Sequence, residues 1–150
     1  MLGTGTLADP YLVATAEDLN NVRYNLSAHY KQMADIDLSI YVDWEPIGND
    51  YAPFTGSFDG QGFNINNMTI CTTGIDAGLF QYGDNCILKN IKLTNISINT
   101  DFDGAGLIVH LTNGTVINCA VTGIIVTGDN GSMCGTGGLI GVLYGGNVTN

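Results

Sequence analysis

The chain has 150 residues, 45% of them hydrophobic and only 12% charged, with 21 glycines. That gives room for one domain with a real core and is too apolar for a disordered chain. With 14 acidic against 4 basic residues the net charge is −10, which disfavours nucleic acid and anionic membrane surfaces as partners. No run approaches the roughly 20 apolar residues that span a bilayer, and abundant Gly, Asn, Asp and Thr among β-branched residues read as all-β with frequent turns.

The opening Met1-Leu2-Gly3-Thr4-Gly5-Thr6 has neither the basic start nor the apolar run of a signal peptide. Thr15-Ala16-Glu17-Asp18 predicts a helix start, with Thr15 as N-cap and acidic residues in the first turn. Leu19, Val22 and Leu26 follow as one apolar stripe. Tyr30, Gln32, Ala34, Ile36 and Leu38 then alternate as a strand, with Gln32 the polar exception. Residues 1–40 are expected to form an N-terminal cap and first coil, and residues 41–150 a run of irregular coils within one domain. Asp59-Gly60 signals a tight turn, and Phe54, Phe58, Phe63 and Ile65 are expected inside. Trp44, Tyr51 and Phe54 also admit a carbohydrate platform.

From there a repeat carries the argument. Gly78-Leu79-Phe80, Gly106-Leu107-Ile108 and Gly138-Leu139-Ile140 are each followed, 12 residues after the glycine, by Asn90, Asn118 and Asn150. Asn67 extends the series backwards, giving coils of 23, 28 and 32 residues. Apolar residues alternate on both sides of each asparagine with a phase slip across it, so the chain turns a corner between two strands. The fold expected is a right-handed parallel β-helix, a solenoid, with a short N-terminal capping helix. Asn67, Asn90, Asn118 and Asn150 should form a structural asparagine ladder, because stacked amides both donate and accept. The inward columns predicted are Met68/Ile91/Cys119, Ile70/Leu93/Val121, Ile96/Ile124 and Ile98/Val126.

The ordered blocks Asp9-Pro10-Tyr11-Leu12-Val13, Thr15-Ala16-Glu17-Asp18-Leu19, Ala34-Asp35-Ile36-Asp37-Leu38 and Phe54-Thr55-Gly56-Ser57-Phe58-Asp59-Gly60, followed by the Gly-Leu repeats, cover nearly the whole chain. Together they resemble the GLUG-motif β-helical module of large bacterial and archaeal cell-surface proteins. The resemblance implies an extracellular, surface-exposed segment of an adhesin-like polypeptide, and it supplies no catalytic residues. Gln32 and Cys86 depart from the pattern.

The residues themselves argue against an enzyme. Polysaccharide-active β-helices need clustered carboxylates with basic partners. Here Arg23 is the only arginine and lies on the cap helix, while Lys89 and Lys92 have no matched acid in adjoining coils. His110 shares a repeat position with Tyr82 and Val142, which predicts an outward side chain, and His29 lies in a loop beside the cap. No cofactor is expected. Asp76, Asp101, Asp103 and Asp129 gather in the variable loops and leave room for weak Ca2+ binding. Asn-X-Ser/Thr occurs at Asn25, Asn67, Asn95, Asn113, Asn130 and Asn147. Asn113 and Asn130 are the best candidate glycosylation sites, then Asn95, Asn25 and Asn147, while Asn67 should be shielded in the ladder. Cys119 reads as a buried thiol, Cys86 takes the turn position of Gly114 and Gly146, and Cys71 and Cys134 lie at loops, so a Cys71–Cys86 disulfide is conceivable.

Nothing in the sequence covers the coil that reaches Asn150. The first functional expectation is therefore a non-enzymatic structural or adhesive surface module meeting a protein or glycan. The alternative is a subunit of a filament or sheath built by head-to-tail stacking on copies of itself. A polysaccharide-active enzyme comes third.

Overall fold

A computed structural model describes residues 1–127 and 135–149, so Asp129, Asn130, Cys134 and Asn150 lie outside the described residues. In chain order the elements are β1 (Tyr11–Val13), α1 (Ala16–Asn20), a 3₁₀ turn (Asn21–Tyr24), β2 (His29–Gln32), β3 (Ile36–Asp37), β4 (Ser57–Asp59), β5 (Asn64–Asn66) and β6 (Thr69–Thr72). There follow β7 (Phe80–Asp84), β8 (Ile87–Lys89), β9 (Lys92–Thr100), β10 (Gly104–Ala105), β11 (Ile108–Ile117), β12 (Ala120–Thr127), β13 (Thr136–Gly137) and β14 (Ile140–Thr149). One sheet runs β1-β2-β4-β8-β11-β14 with β7 also on β11, a second runs β12-β9-β5-β3 with β6 on β9, and a third is β10-β13. Their ladders are parallel. This is the expected parallel β-helix: each coil lays a few residues on each sheet, then turns.

The cap forms as its sequence predicts. The Thr15 side chain accepts from the Asp18 backbone N–H, and the Asp18 carboxylate reaches back to the N-cap N–H, a capping box. Leu19 and Val22 are fully buried, and the Tyr30 hydroxyl donates to Asn25 O at 2.7 Å, closing the cap onto the first full coil.

Above it, inward side chains stack in columns. Tyr11, Tyr30, Phe58, Leu88, Val116 and Val148 occupy one register position in successive coils. Ile36, Ile65, Leu93 and Val121 form a second column, and Ile47, Phe80, Ile108 and Ile140 a third. Parallel register places like side chains directly over one another, so a single apolar choice repeated per coil fills the interior. Gln32 is fully buried yet useful: its amide donates to Ala34 O at 2.9 Å and Asn64 O at 3.1 Å, tying a corner to the next coil. Phe63, expected inside, is 37% exposed, because the turn falls at Gln61 and Gly62 (both at positive φ) and swings it outward.

The corners are single residues in the left-handed region, spaced five apart. Asn85, Asn90 and Asn95 have φ of 51°, 54° and 52°, and in the next coil Asn113 and Asn118 have 51° and 49°. Asparagine tolerates this conformation better than other side chains with a Cβ. The ladder prediction is corrected here. Asn118 Nδ2 donates to Asn90 Oδ1 at 2.9 Å, as expected, but below Asn90 stands Asp59, 2.9 Å from its amide nitrogen. Asn67 sits on the next corner, in a second ladder with Asn95 above it (2.7 Å) and Asp37 below (2.9 Å). Asn67 to Asn95 and Asn90 to Asn118 are both steps of 28 residues, so the 23-residue interval from Asn67 to Asn90 joined two different corners.

All four predicted columns fail in part, although Leu93 does lie under Val121. Met68 pairs beside Ile96 rather than under Ile91, and Ile70 lies under Ile98, which lies under Ile125. Ile124 and Val126, expected inside, are 67% and 52% exposed. A β-bulge between Val121 and Gly123 slips the phase by one, and a one-residue slip exchanges inward and outward faces.

Candidate functional site

Where the variable loop re-enters the coil, Asp76 precedes a parallel bridge between Ala77 and Gly104, and Asp103 precedes the same bridge one coil up. The Ala77 N–H donates to Asp103 O at 2.9 Å, fixing the two loops one above the other. A few residues on, Tyr82, His110 and Val142 share one register position on β7, β11 and β14. These two neighbouring columns converge. His110 Nε2 lies 3.1 Å from Asp76 Oδ2 and 3.4 Å from Asp103 Oδ2. The imidazole stacks on the Tyr82 ring, centroids 4.3 Å apart and planes 19° from parallel. Tyr82 also donates its hydroxyl to Asp76 Oδ2 at 3.4 Å, and Asp103 Oδ1 accepts from the Gly135 N–H at 2.5 Å.

The cluster is nearly dry. His110 is 8% exposed: the loops that carry Asp76 and Asp103 cover the side chain expected to face outward. Its Nδ1 is buried without a hydrogen-bond partner. Burial and the negative charge of Asp76, Asp50 and Asp103 push the Tyr82 hydroxyl up to about 12. A shallow depression of about 200 Å³, lined by Asp50, Asp76, Tyr82 and Phe102 among others, leads to it from solvent. Asp101, grouped with these acids from sequence, turns aside and accepts from the Gly74 N–H at 2.7 Å.

The other chemistry-bearing residues are committed to structure. Arg23 donates to Glu45 O at 2.8 Å, pairs with the Glu45 carboxylate at 3.1 Å and lies 5.5 Å from the centre of the Trp44 ring. This fixes the wall of a crevice of about 440 Å³, with the arginine already engaged. Lys89 does have an acidic partner in the adjoining coil: Asp59 Oδ2 stands 3.1 Å from Nζ, against expectation. His29 Nδ1 meets Ser57 Oγ at 2.8 Å. The aromatic platform does not form, because Trp44 and Phe54 are buried while Tyr51 is 93% exposed.

Among the described residues Cys71, Cys86 and Cys119 are free, so no Cys71–Cys86 disulfide links them. Burial pushes the Cys86 thiol up to about 12, and the buried Cys119 thiol is raised as well, which leaves both protonated and unreactive. Of the described sequons, Asn25, Asn95, Asn113 and Asn147 are exposed and Asn67 is half-buried. The amide nitrogens of Asn67 and Asn95 are engaged in the second ladder.

Fold and columns together define a parallel β-solenoid whose one partly buried titratable cluster, among the described residues, bridges two coils. No family model matches the chain. It is 37% identical over 159 aligned positions to halomucin of Haloquadratum walsbyi, covering 94% of this chain and 2% of halomucin. It is 38% identical over 121 positions to a protein described as a Gly-rich membrane protein in Evansella cellulosilytica, covering 75% of this chain and 14% of that protein. The chain therefore spans a small fraction of either relative. A crystal structure of a Bacteroides ovatus protein assigned as an immunoglobulin A1 protease matches with a TM-score of 0.69, over 98% of this chain and 57% of that one, at 20% identity. A likeness that remote is one of fold alone.

Proposed function

We propose that the chain is a non-enzymatic structural segment of a long cell-surface protein, of the GLUG-motif, adhesin-like kind, which presents its loops to a protein or glycan outside the cell. The observation that carries this reading is the closed interior. Apolar side chains from successive coils fill the solenoid, the arginine is tied down, and the crevices beside Arg23 and beside Tyr82 lie open on the surface. Enzyme sites are usually concave pockets in which several polar groups converge on a substrate. Similarity to segments of a halomucin and of a Gly-rich membrane protein supports a surface setting. The exposed sequons Asn25, Asn113 and Asn147 suit outward glycans, whereas the Asn95 amide nitrogen is held in the ladder. A test is antibody labelling of intact cells of the source organism, combined with protease shaving. Labelling outside the cell and release by protease are expected; signal confined to lysed cells overturns the reading.

The alternative, a subunit that stacks head to tail, is favoured by one feature. The last described coil leaves Leu143, Tyr144 and Val148 between 43% and 60% exposed, although Leu143 and Val148 continue inward columns. Either further coils of the same polypeptide or a second copy would cover them.

A further inference from the structure

The Asp76–Asp103–His110 cluster supports a conclusion independent of the surface reading. We propose that these three side chains bind one divalent first-row transition ion of the Zn2+ type, joining two successive coils. One ligand atom from each lies within 4.8 Å of the others. Metal–ligand distances of about 2.0–2.2 Å place neighbouring ligands of a tetrahedral ion roughly 3.3–3.6 Å apart. The distances of 3.1 and 3.4 Å from His110 Nε2 to the two carboxylates are close to that separation, while the two carboxylates lie within 4.8 Å of each other and draw together to close on an ion.

The surroundings match what a metal site requires. Metal ligands are held in orientation by hydrogen bonds and packing from the groups around them. Here the Gly135 N–H fixes Asp103, the Tyr82 hydroxyl fixes Asp76, and the Tyr82 ring fixes the plane of the imidazole. The His110 ring is nine-tenths buried and aims Nε2 at both carboxylates. Asp50, Asp76 and Asp103 together concentrate negative charge around Tyr82, which a dication would offset. The donor set selects the ion class. Ca2+ takes six to eight oxygens, whereas one imidazole with two carboxylates suits a borderline transition ion. The site proposed is a nitrogen-containing one that draws on two of the loop aspartates, and Asp101 is not among its ligands. Its extent is a single step, because the coil above carries Gly135 and Val142 in place of Asp103 and His110.

The test is calorimetric titration of ZnCl2 into the metal-stripped whole chain, with CaCl2 as a parallel arm and circular dichroism on every variant. The background is Cys71→Ser with Cys134→Ser, which removes the exposed thiol and the loop thiol as competing ligands. Expected are one Zn2+ per chain, no saturable Ca2+ binding, and affinity at least about 10-fold weaker in D76N and in H110Q. Zn2+ should also raise the melting temperature of the parent but not of D76N. Should H110Q fail to fold, D76N, whose carboxylate is partly exposed, decides alone. Loss of Zn2+ binding in the Cys71→Ser, Cys134→Ser background overturns the proposal, as does undiminished binding in folded D76N or a chain that takes up no Zn2+.

Discussion

At the residue scale, both asparagine ladders end on an aspartate, and the reason is donor arithmetic. Each amide can accept from the coil above and donate to the coil below, so the foot of a ladder needs a group that only accepts. Asp37 and Asp59 fill that role. Burial by itself would raise Asp59, but the bonds from Asn90 and Gln61 and the charge of Lys89 hold it below its ordinary value of 3.8. The bond from Asn67, followed by that from Ser39, does the same for exposed Asp37. A depressed folded-state value contributes stability that is complete above the unfolded value and is lost as pH falls through the folded one. Urea midpoints of the wild-type chain should therefore fall below about pH 4, as expected for carboxylates of this kind. Asp59→Asn should cost about 1 kcal/mol at neutral pH, since it loses the charged partner of Asn90 and Lys89, and should flatten the acid limb. A midpoint-against-pH curve identical to wild type would show that the ladder foot contributes nothing.

At the element scale, the solenoid depends on where the strands bend. A five-residue spacing of asparagines (85, 90, 95 and again 113, 118) is present in the sequence and marks three corners of the coil. Reading only the asparagine that follows each Gly-Leu motif finds one corner and misses the other two. At the position where a further asparagine of the second series would stand is Gly123, with φ of 155° and a backbone so close to Ile96 that a Cβ would overlap its carbonyl oxygen. This glycine makes the bulge, and the bulge sends Ile124 outward and Ile125 inward. Gly123→Ala is expected to destabilise the chain by more than about 2 kcal/mol in urea denaturation, through backbone strain together with the clash. A cost below about 0.5 kcal/mol would mean that β12 can re-register without the bulge. Cys86 shows where sequence register did suffice: it takes the Gly114 position, as the repeat implied, and packs its thiol into the interior.

At the scale of the whole molecule, stability is a sum of coil interiors and coil-to-coil interfaces. The cap seals one end, with Leu19 and Val22 buried. At the last described coil the apolar columns continue to Leu143 and Val148 without cover, and Tyr144 lies beside them. An exposed edge of this kind favours association. Size-exclusion chromatography of the isolated chain should show concentration-dependent association, and replacing Leu143 and Tyr144 together by lysine should shift it towards monomer. Discrete head-to-tail oligomers that grow with concentration would favour the self-stacking alternative, and a monomer at all concentrations would show that the end coil protects itself.

Local chemistry along the chain was enough to establish the capping box, the alternating strands, the apolar filling and the left-handed asparagines, because each depends on residues within a few positions of one another. It could not say which asparagine stands above which. Ladder register is set by the number of residues per coil, and a five-residue error still lands on another corner asparagine. Nor could it reveal that Asp76, Asp103 and His110 meet. Those residues lie on different coils, and only the superposition of a 28-residue step with two loop re-entries brings them within bonding distance. Contacts along the solenoid axis depend on stacking, which the folded backbone alone decides.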